Sequence, residues 1–220
     1  GKDPNASNII QYINIASAGN AVDFGDLTAV TIGAGAASNG HGGLDFDFIQ
    51  RPSVTYMPGS GRALLGGGKT NPAGTNQNAI QMIHIQTLGN TSDFGDLTIA
   101  SYGRSGCASR TRGVFGGGYK DASPAGEINT IESIEFASQG NAADFGDSTV
   151  ARAFSASTAG NQTRGIIGAG GNAPGLVDVI DYITIASAGN AADFGNLSAA
   201  RSQFSGSSSP TRAIFYGGLE

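Results

Sequence analysis

Four near-copies of one acidic, glycine-flanked stretch dominate the chemistry on offer in this chain. They read GNAVDFGDLTAV from Gly19, GNTSDFGDLTIA from Gly89, GNAADFGDSTVAR from Gly140 and GNAADFGNLSAAR from Gly189. Asp-Phe-Gly is the magnesium-holding tripeptide of phosphoryl-transfer sites. It works there beside a glycine-rich nucleotide loop, a strand lysine and a His-Arg-Asp loop. None of these accompanies it here, and a transfer site needs the tripeptide once. A second decoy is ALLGGGKT, Ala63 to Thr70. A phosphate loop must open a helix whose N-terminal amides hold the phosphate, yet NPAGTNQ follows. The spacing of Asp23 with Asp26, Asp93 with Asp96 and Asp144 with Asp147 raises calcium. A hard cation takes six to eight oxygens, one pair per turn is too few, and Asn196 replaces the second aspartate of the last copy.

The remaining reactive residues form no set. His84 stands in a strand column that elsewhere holds Asn14, Glu135 and Thr184, so it reads as a solvated position. His41 is isolated, and no Ser-His-Asp or Cys-His order can be built on it. Cys107 is the only cysteine, which excludes an intrachain disulfide and a cysteine zinc cluster. We expect no catalytic residue, no metal site and no cofactor.

The elements that carry these stretches are themselves repeated. The Asp-Phe-Gly copies begin at Asp23, Asp93, Asp144 and Asp193, at intervals of 70, 51 and 49 residues. Ahead of each lies an isoleucine-rich segment: NIIQYINIAS, NAIQMIHIQT, NTIESIEFAS or DVIDYITIAS. Such β-branched runs with period-two alternation predict strands. Behind each come a short Leu/Ser-Thr strand, a segment of very small residues (GAGAASNG, SGCAS, SASTAGN, SGSSS), and an arginine, an apolar strand and a glycine cluster: GRALLGGG, TRGVFGGG, TRGIIGAGG or TRAIFYGG. Four short strands in about fifty residues, with no helical periodicity, fit one blade of a β-propeller.

The paired glycines at Gly67-Gly68, Gly117-Gly118, Gly170-Gly171 and Gly217-Gly218, each closing an apolar strand and followed by aromatic positions, resemble the kelch repeat over nearly the whole chain. The chain departs from kelch in having no tryptophan, with Phe24, Phe94, Phe145 and Phe194 in the place of the second aromatic. The GNxxDFGDLT wording is also similar to repeats in structural and tail-associated proteins of tailed phages of marine cyanobacteria. The resemblance implies an all-β, four-bladed propeller of four-stranded antiparallel blades. Because the chain starts on an outer strand and ends on an inner one, closure is expected by pairing N-terminal outer strands with C-terminal inner strands. That pairing removes two aggregation-prone edges. The small-residue segments would be the innermost strands, at an axis too crowded for larger side chains.

The domain is expected over 9–218, with 1–8 as an appended leader and 219–220 as a cloning remnant. Asp23, Asp93, Asp144 and Asp193, with Phe24, Phe94, Phe145 and Phe194, are expected to build turns that start each outer strand. The asparagines and aspartates would cap them through side-chain-to-backbone hydrogen bonds, the glycines would take positive φ, and the phenylalanines would anchor the turn between blades. Arg62, Arg112, Arg164 and Arg212 recur once per blade and are expected to pair with an aspartate or a carbonyl of their own or the adjacent blade, with a basic ring around an opening as the functional alternative.

One segment is not repeated: HGGLDFDFIQRPSVTYMPGS, His41 to Ser60, inserted before GRALLGGG. Departures from a repeat map to loops on one face, often the binding face. His41, Asp45, Phe46, Asp47, Phe48, Arg51 and Tyr56 are therefore the candidate ligand contacts, as a lid over the central channel, a binding loop, or both. With net charge −5 and three lysines there is no basic track for nucleic acid, and no apolar run reaches membrane-spanning length. The expected role is a non-enzymatic binding or assembly module, a monomer with an open half-ring that dimerises as the rival, contacting a protein surface or, alternatively, a glycan. The phage resemblance implies association with the virion. A glycosidase, which needs two facing carboxylates, is the weakest alternative.

Overall fold

A computed structural model describes residues 6–14, 17–38, 61–120, 126–172, 175–209 and 211–220. The described residues contain strands and no helix, and every strand pairing is antiparallel.

Three complete four-stranded sheets follow one another along the chain. The first has the order β4 (Gly35–Ser38), β5 (Arg62–Gly66), β7 (Ala79–His84), β8 (Ser92–Asp96). The second is β9 (Ser105–Ala108), β10 (Arg112–Gly116), β11 (Thr130–Glu135), β12 (Ala143–Asp147). The third is β13 (Ala156–Gly160), β14 (Arg164–Asn172), β15 (Gly175–Thr184), β16 (Ala192–Asn196). Each is a meander in sequence order: small residues, arginine strand, isoleucine strand, Asp-Phe-Gly strand. A fourth unit is present in two halves. β1 (Ile9–Tyr12) pairs with β2 (Val22–Asp26), and β17 (Ser205–Ser208) pairs with β18 (Ala213–Tyr216). The expected pairing of the N-terminal outer strands with the C-terminal inner ones is not made among the described residues, and no closed ring is found. A small extra ladder joins β3 (Thr31–Ile32) to β6 (Lys69–Thr70), so Lys69-Thr70 is strand rather than the start of a phosphate-binding helix.

The small-residue segments are strands, as their recurrence predicts. Successive innermost strands touch, β4 on β9, β9 on β13 and β13 on β17. A Cβ on Gly106 would lie 2.1 Å from the Ala36 carbonyl oxygen, so β9 approaches β4 closely enough to require glycine there. The same row is laced at its other end by a relay of backbone bonds. Gly103 N–H donates to Gly33 O (2.8 Å), Phe154 N–H to Gly103 O (2.8 Å), and Gln203 N–H to Phe154 O (3.0 Å). All four relay residues have φ between 54° and 67°.

Asp-Phe-Gly forms the outermost strand itself, which corrects its expected role as a turn ahead of that strand. In all four copies the ladder to the isoleucine strand skips the phenylalanine. Ile80 pairs with Gly95 and Gln81 with Asp93, leaving Phe94 as an extra residue, and the same shift occurs at Phe24, Phe145 and Phe194. A β-bulge redirects its extra side chain. Here it turns the ring of Phe94 and Phe145 into the apolar layer between neighbouring sheets, where Leu64, Ile80, Phe94, Phe115, Ile134 and Phe136 form one cluster. Asn8, within the expected leader, takes part in the repeat: its carbonyl accepts from Leu27 N–H (2.8 Å) as Asn78 does from Leu97.

Candidate binding face

The junctions between sheets explain most of the repeated polar residues. Gly89, Gly140 and Gly189 donate backbone N–H groups to the carbonyls of Phe24, Phe94 and Phe145, at 2.9, 2.9 and 2.6 Å. The side-chain oxygens of Asn90, Asn141 and Asn190 accept from Asp26, Asp96 and Asp147 N–H at 2.9, 3.0 and 3.1 Å. Of the asparagines and aspartates expected to cap this connection, the asparagine of Gly-Asn makes the bond that crosses the junction. Asp193 Oδ1 does accept locally, from Gly195 N–H at 3.0 Å.

Two of the four repeated arginines also cross junctions. Arg62 donates to Phe136 O of the next sheet. Arg112 donates to Ile185 O (3.0 Å) and pairs with Glu135 on its own sheet (2.8 Å). Arg164 lies over the Tyr182 ring, 4.5 Å from its centroid, and Arg212 is exposed beside the C-terminal half-sheet.

Two buried ion pairs escaped the sequence analysis. Arg104 meets Glu132 at 2.5 Å and Arg152 meets Asp181, with all four side chains fully buried. Each carboxylate also receives a backbone N–H from the preceding sheet, Thr98 to Glu132 at 2.5 Å and Thr149 to Asp181 at 3.0 Å. Burial lowers the pKa of both arginines, and the facing carboxylate opposes that shift. The signal was present in sequence. Gln11, Gln81, Glu132 and Asp181 form a polar column inside the most apolar strand of each repeat. The partners were hidden because Arg104 and Arg152 occupy different columns of the preceding link.

At one end of the inner row is an open cavity of about 410 Å³. It is lined by Ala37 and Ser38 of β4, Cys107 and Ala108 of β9, Asn161 beyond β13 and Ser208 of β17, among others. These are the ends at which inner strands turn into arginine strands. Three of those turns are tight. Ser109 Oγ accepts from Arg112 N–H (3.2 Å), Asn161 Oδ1 from Arg164 N–H (2.9 Å), and Ser209 Oγ from Arg212 N–H (3.1 Å). The fourth, between Ser38 and Arg62, is where the insertion springs. Ser38 and Ala63, on either side of the insertion, both line the cavity. Burial pushes the Cys107 thiol up to about 12, which keeps it protonated and a poor nucleophile.

His41, Asp45, Phe46, Asp47, Phe48, Arg51 and Tyr56 lie outside the described residues, so only the two ends of their segment are placed. His84 is exposed at the end of β7, as expected of a solvated position. Among the described residues no three of His, Cys, Asp and Glu gather as a metal site would require. No protein-family model matches the chain, and no curated protein matches it.

Proposed function

We propose that this chain is a non-enzymatic recognition module, a four-bladed kelch-like propeller whose insertion face contacts a protein surface. The observation that carries this reading is that Ser38 and Ala63, which flank the one non-repeated segment, line the cavity at one end of the inner row. The repeated asparagines Asn90, Asn141 and Asn190 and the arginines Arg62 and Arg112 are engaged in joining sheets. That leaves the insertion, with its three aromatics and its Asp45, Asp47 and Arg51, as the segment free to differ for a partner's sake. The similarity to phage repeats favours a virion structural or host-attachment role. A glycan is the alternative partner, through stacking on Phe46, Phe48 or Tyr56.

The test replaces 39–61 with Ser-Arg-Thr, the turn that joins β9 to β10. Labelled protein is then presented to intact marine cyanobacteria and to a glycan array. We expect cell binding that the replacement abolishes while the circular dichroism of the folded chain persists. Glycan binding with the same sensitivity would transfer the reading to a lectin. Binding that survives the replacement, or none to either target, would overturn the assignment of the face.

A further inference from the structure

At the end of the inner row remote from Ser38 and Arg62, the four repeats make one equivalent bridge each. Ile32 pairs with Lys69, Tyr102 with Tyr119, Ala153 with Gly171 and Ser202 with Leu219. Tyr102 and Tyr119 exchange backbone bonds of 3.1 and 2.7 Å, and Ala153 and Gly171 exchange two of 2.8 Å. Ala-Gly makes the bridge as well as Tyr-Tyr does, so the fold does not call for rings there. The backbone relay one residue further on shows the same contrast. Gly33 and Gly103 take its left-handed φ, yet so does Phe154, at 56°. That conformation strains a bulky side chain, and such strained positions cluster at ligand sites.

These departures gather in one cluster. Tyr102 packs edge-on against Tyr119, with ring centroids 5.6 Å apart, and against Phe154, at 5.5 Å. Lys69 Nζ lies 4.8 Å from the centroid of the Tyr102 ring. The Phe154 ring rests on Gly103 and the Tyr119 ring on Gly126, where an added Cβ would come within 2.8 and 2.7 Å of them. Both rings are thus backed by main chain, and all three are half-buried. Lys120 and Gln203 are exposed beside them, and Glu127 faces Tyr119 across a further bridge. The chain carries a net charge of −5. Its two lysines among the described residues, Lys69 and Lys120, both stand here, while the aspartates of the repeated stretch lie on the outer strands β2, β8, β12 and β16.

We propose that this cluster is a saccharide site selective for acidic sugars, uronates or sulfated sugars. It does not rest on the insertion or on the protein partner proposed above. Residues needed for packing recur in phase, so a concentration of rings and cations in one repeat marks a ligand rather than the fold. The C–H face of a pyranose lies against the Phe154 and Tyr119 rings. Its carboxylate or sulfate meets Lys69 and Lys120, which is the charge complement of these lysines. Its hydroxyls donate to Glu127 and exchange bonds with the Gln203 amide. Acidic peptide side chains would satisfy the lysines but give Glu127 no donor and the rings no C–H face.

The test titrates the full chain by calorimetry at physiological ionic strength. The probes are alginate oligomers (a uronate polymer) and dextran sulfate, with uncharged dextran and poly-glutamate as controls. We expect an acidic saccharide to bind, the two controls to bind far more weakly, and affinity to fall with added salt as the lysines require. Tyr102→Ala with Tyr119→Gly copies the bridge of Ala153 and Gly171, and Phe154→Gly copies Gly103. Both variants should keep Tm within a few degrees of the parent's and weaken binding about tenfold, the size of a lost ring contact. Lys69→Gln with Lys120→Gln leaves every ring in place and should abolish the preference for alginate over dextran. No binding of either acidic saccharide, or binding that survives all three variants, would overturn the site. Poly-glutamate binding as tight as alginate would overturn the ligand. A large fall in Tm for both ring variants, with the lysine variant binding as the parent does, would show that the rings serve packing alone. Replacing 39–61 should leave this binding unchanged, and its loss there would overturn the placement at this end. Failure of this site is therefore separable from failure of the insertion's role.

Discussion

At the scale of single residues, the same polar column is solved in two chemical ways. In the first sheet the column holds Gln81, whose oxygen accepts from Thr28 N–H at 3.0 Å. The position corresponding to Arg104 is Ala34, and that corresponding to Arg152 is Thr31, so no arginine is supplied. In the second sheet Glu132 does the same work as an anion and receives Arg104. The neutral and ionic versions satisfy the same backbone donor, which agrees with the general finding that a buried ion pair adds little over a well-made neutral contact. Breaking the pair is different, because it leaves a charge buried and uncompensated. Glu132→Gln alone should therefore destabilise the fold by about 3–5 kcal/mol. Adding Arg104→Ala recreates the Ala34–Gln81 arrangement and should recover more than half of the loss. Urea unfolding of the two variants measures this. Equal destabilisation by both would show that the pair contributes more than neutralisation.

At the scale of the element, the strand that carries Asp-Phe-Gly decides how sheets stack. Its bulge frees the phenylalanine to enter the junction, and its glycine lets the neighbouring Gly-Asn segment lie across the backbone. A Cβ on Gly95 would sit 1.8 Å from the Gly140 carbonyl oxygen. Backbone cannot yield as a flexible side-chain end can, so Gly95→Ala should cost more than about 2 kcal/mol by forcing the junction open. A thermal or urea titration showing a loss below that would mean that the Gly140 segment relaxes away freely. Much of this element was legible in sequence. The recurrence of Phe24, Phe94 and Phe145 gave their anchoring role, and the glycine's positive φ was expected. The bulge was not legible, because skipping a residue depends on how two distant strands register, and period-two alternation in one strand carries no information about its partner. Phe194 shows the limit from the other side. Its sequence context equals that of Phe145, yet its burial depends on whether another part of the chain is seated beside it.

At the scale of the whole molecule, closure of a four-bladed ring by the N-terminal and C-terminal strand pairs would pair residues some two hundred positions apart. Long-range pairing costs loop-closure entropy before any contact rewards it. In the three complete sheets the same pairing is a local hairpin: β14 runs into β15 through residues 173–174, with Asn172 facing Gly175. A circular permutant can make the fourth pairing equally local. It would link Glu220 to Asn8 through a flexible segment of about ten residues and take its new ends within the insertion, between 48 and 50. No described strand is cut, and β18 then leads directly into β1. If β18 pairs with β1 as the second and third strands of the other sheets pair, the permutant should fold as a monomer and refold faster than the parent, since its slowest closure has become local. Its Tm should match or exceed the parent's by several degrees. Both are read by stopped-flow refolding and thermal melts on the two chains at equal concentration. A permutant that populates dimers, or that refolds more slowly than the parent, would mean that the N-terminal hairpin does not belong beside β18 and that the repeat completes itself in another way.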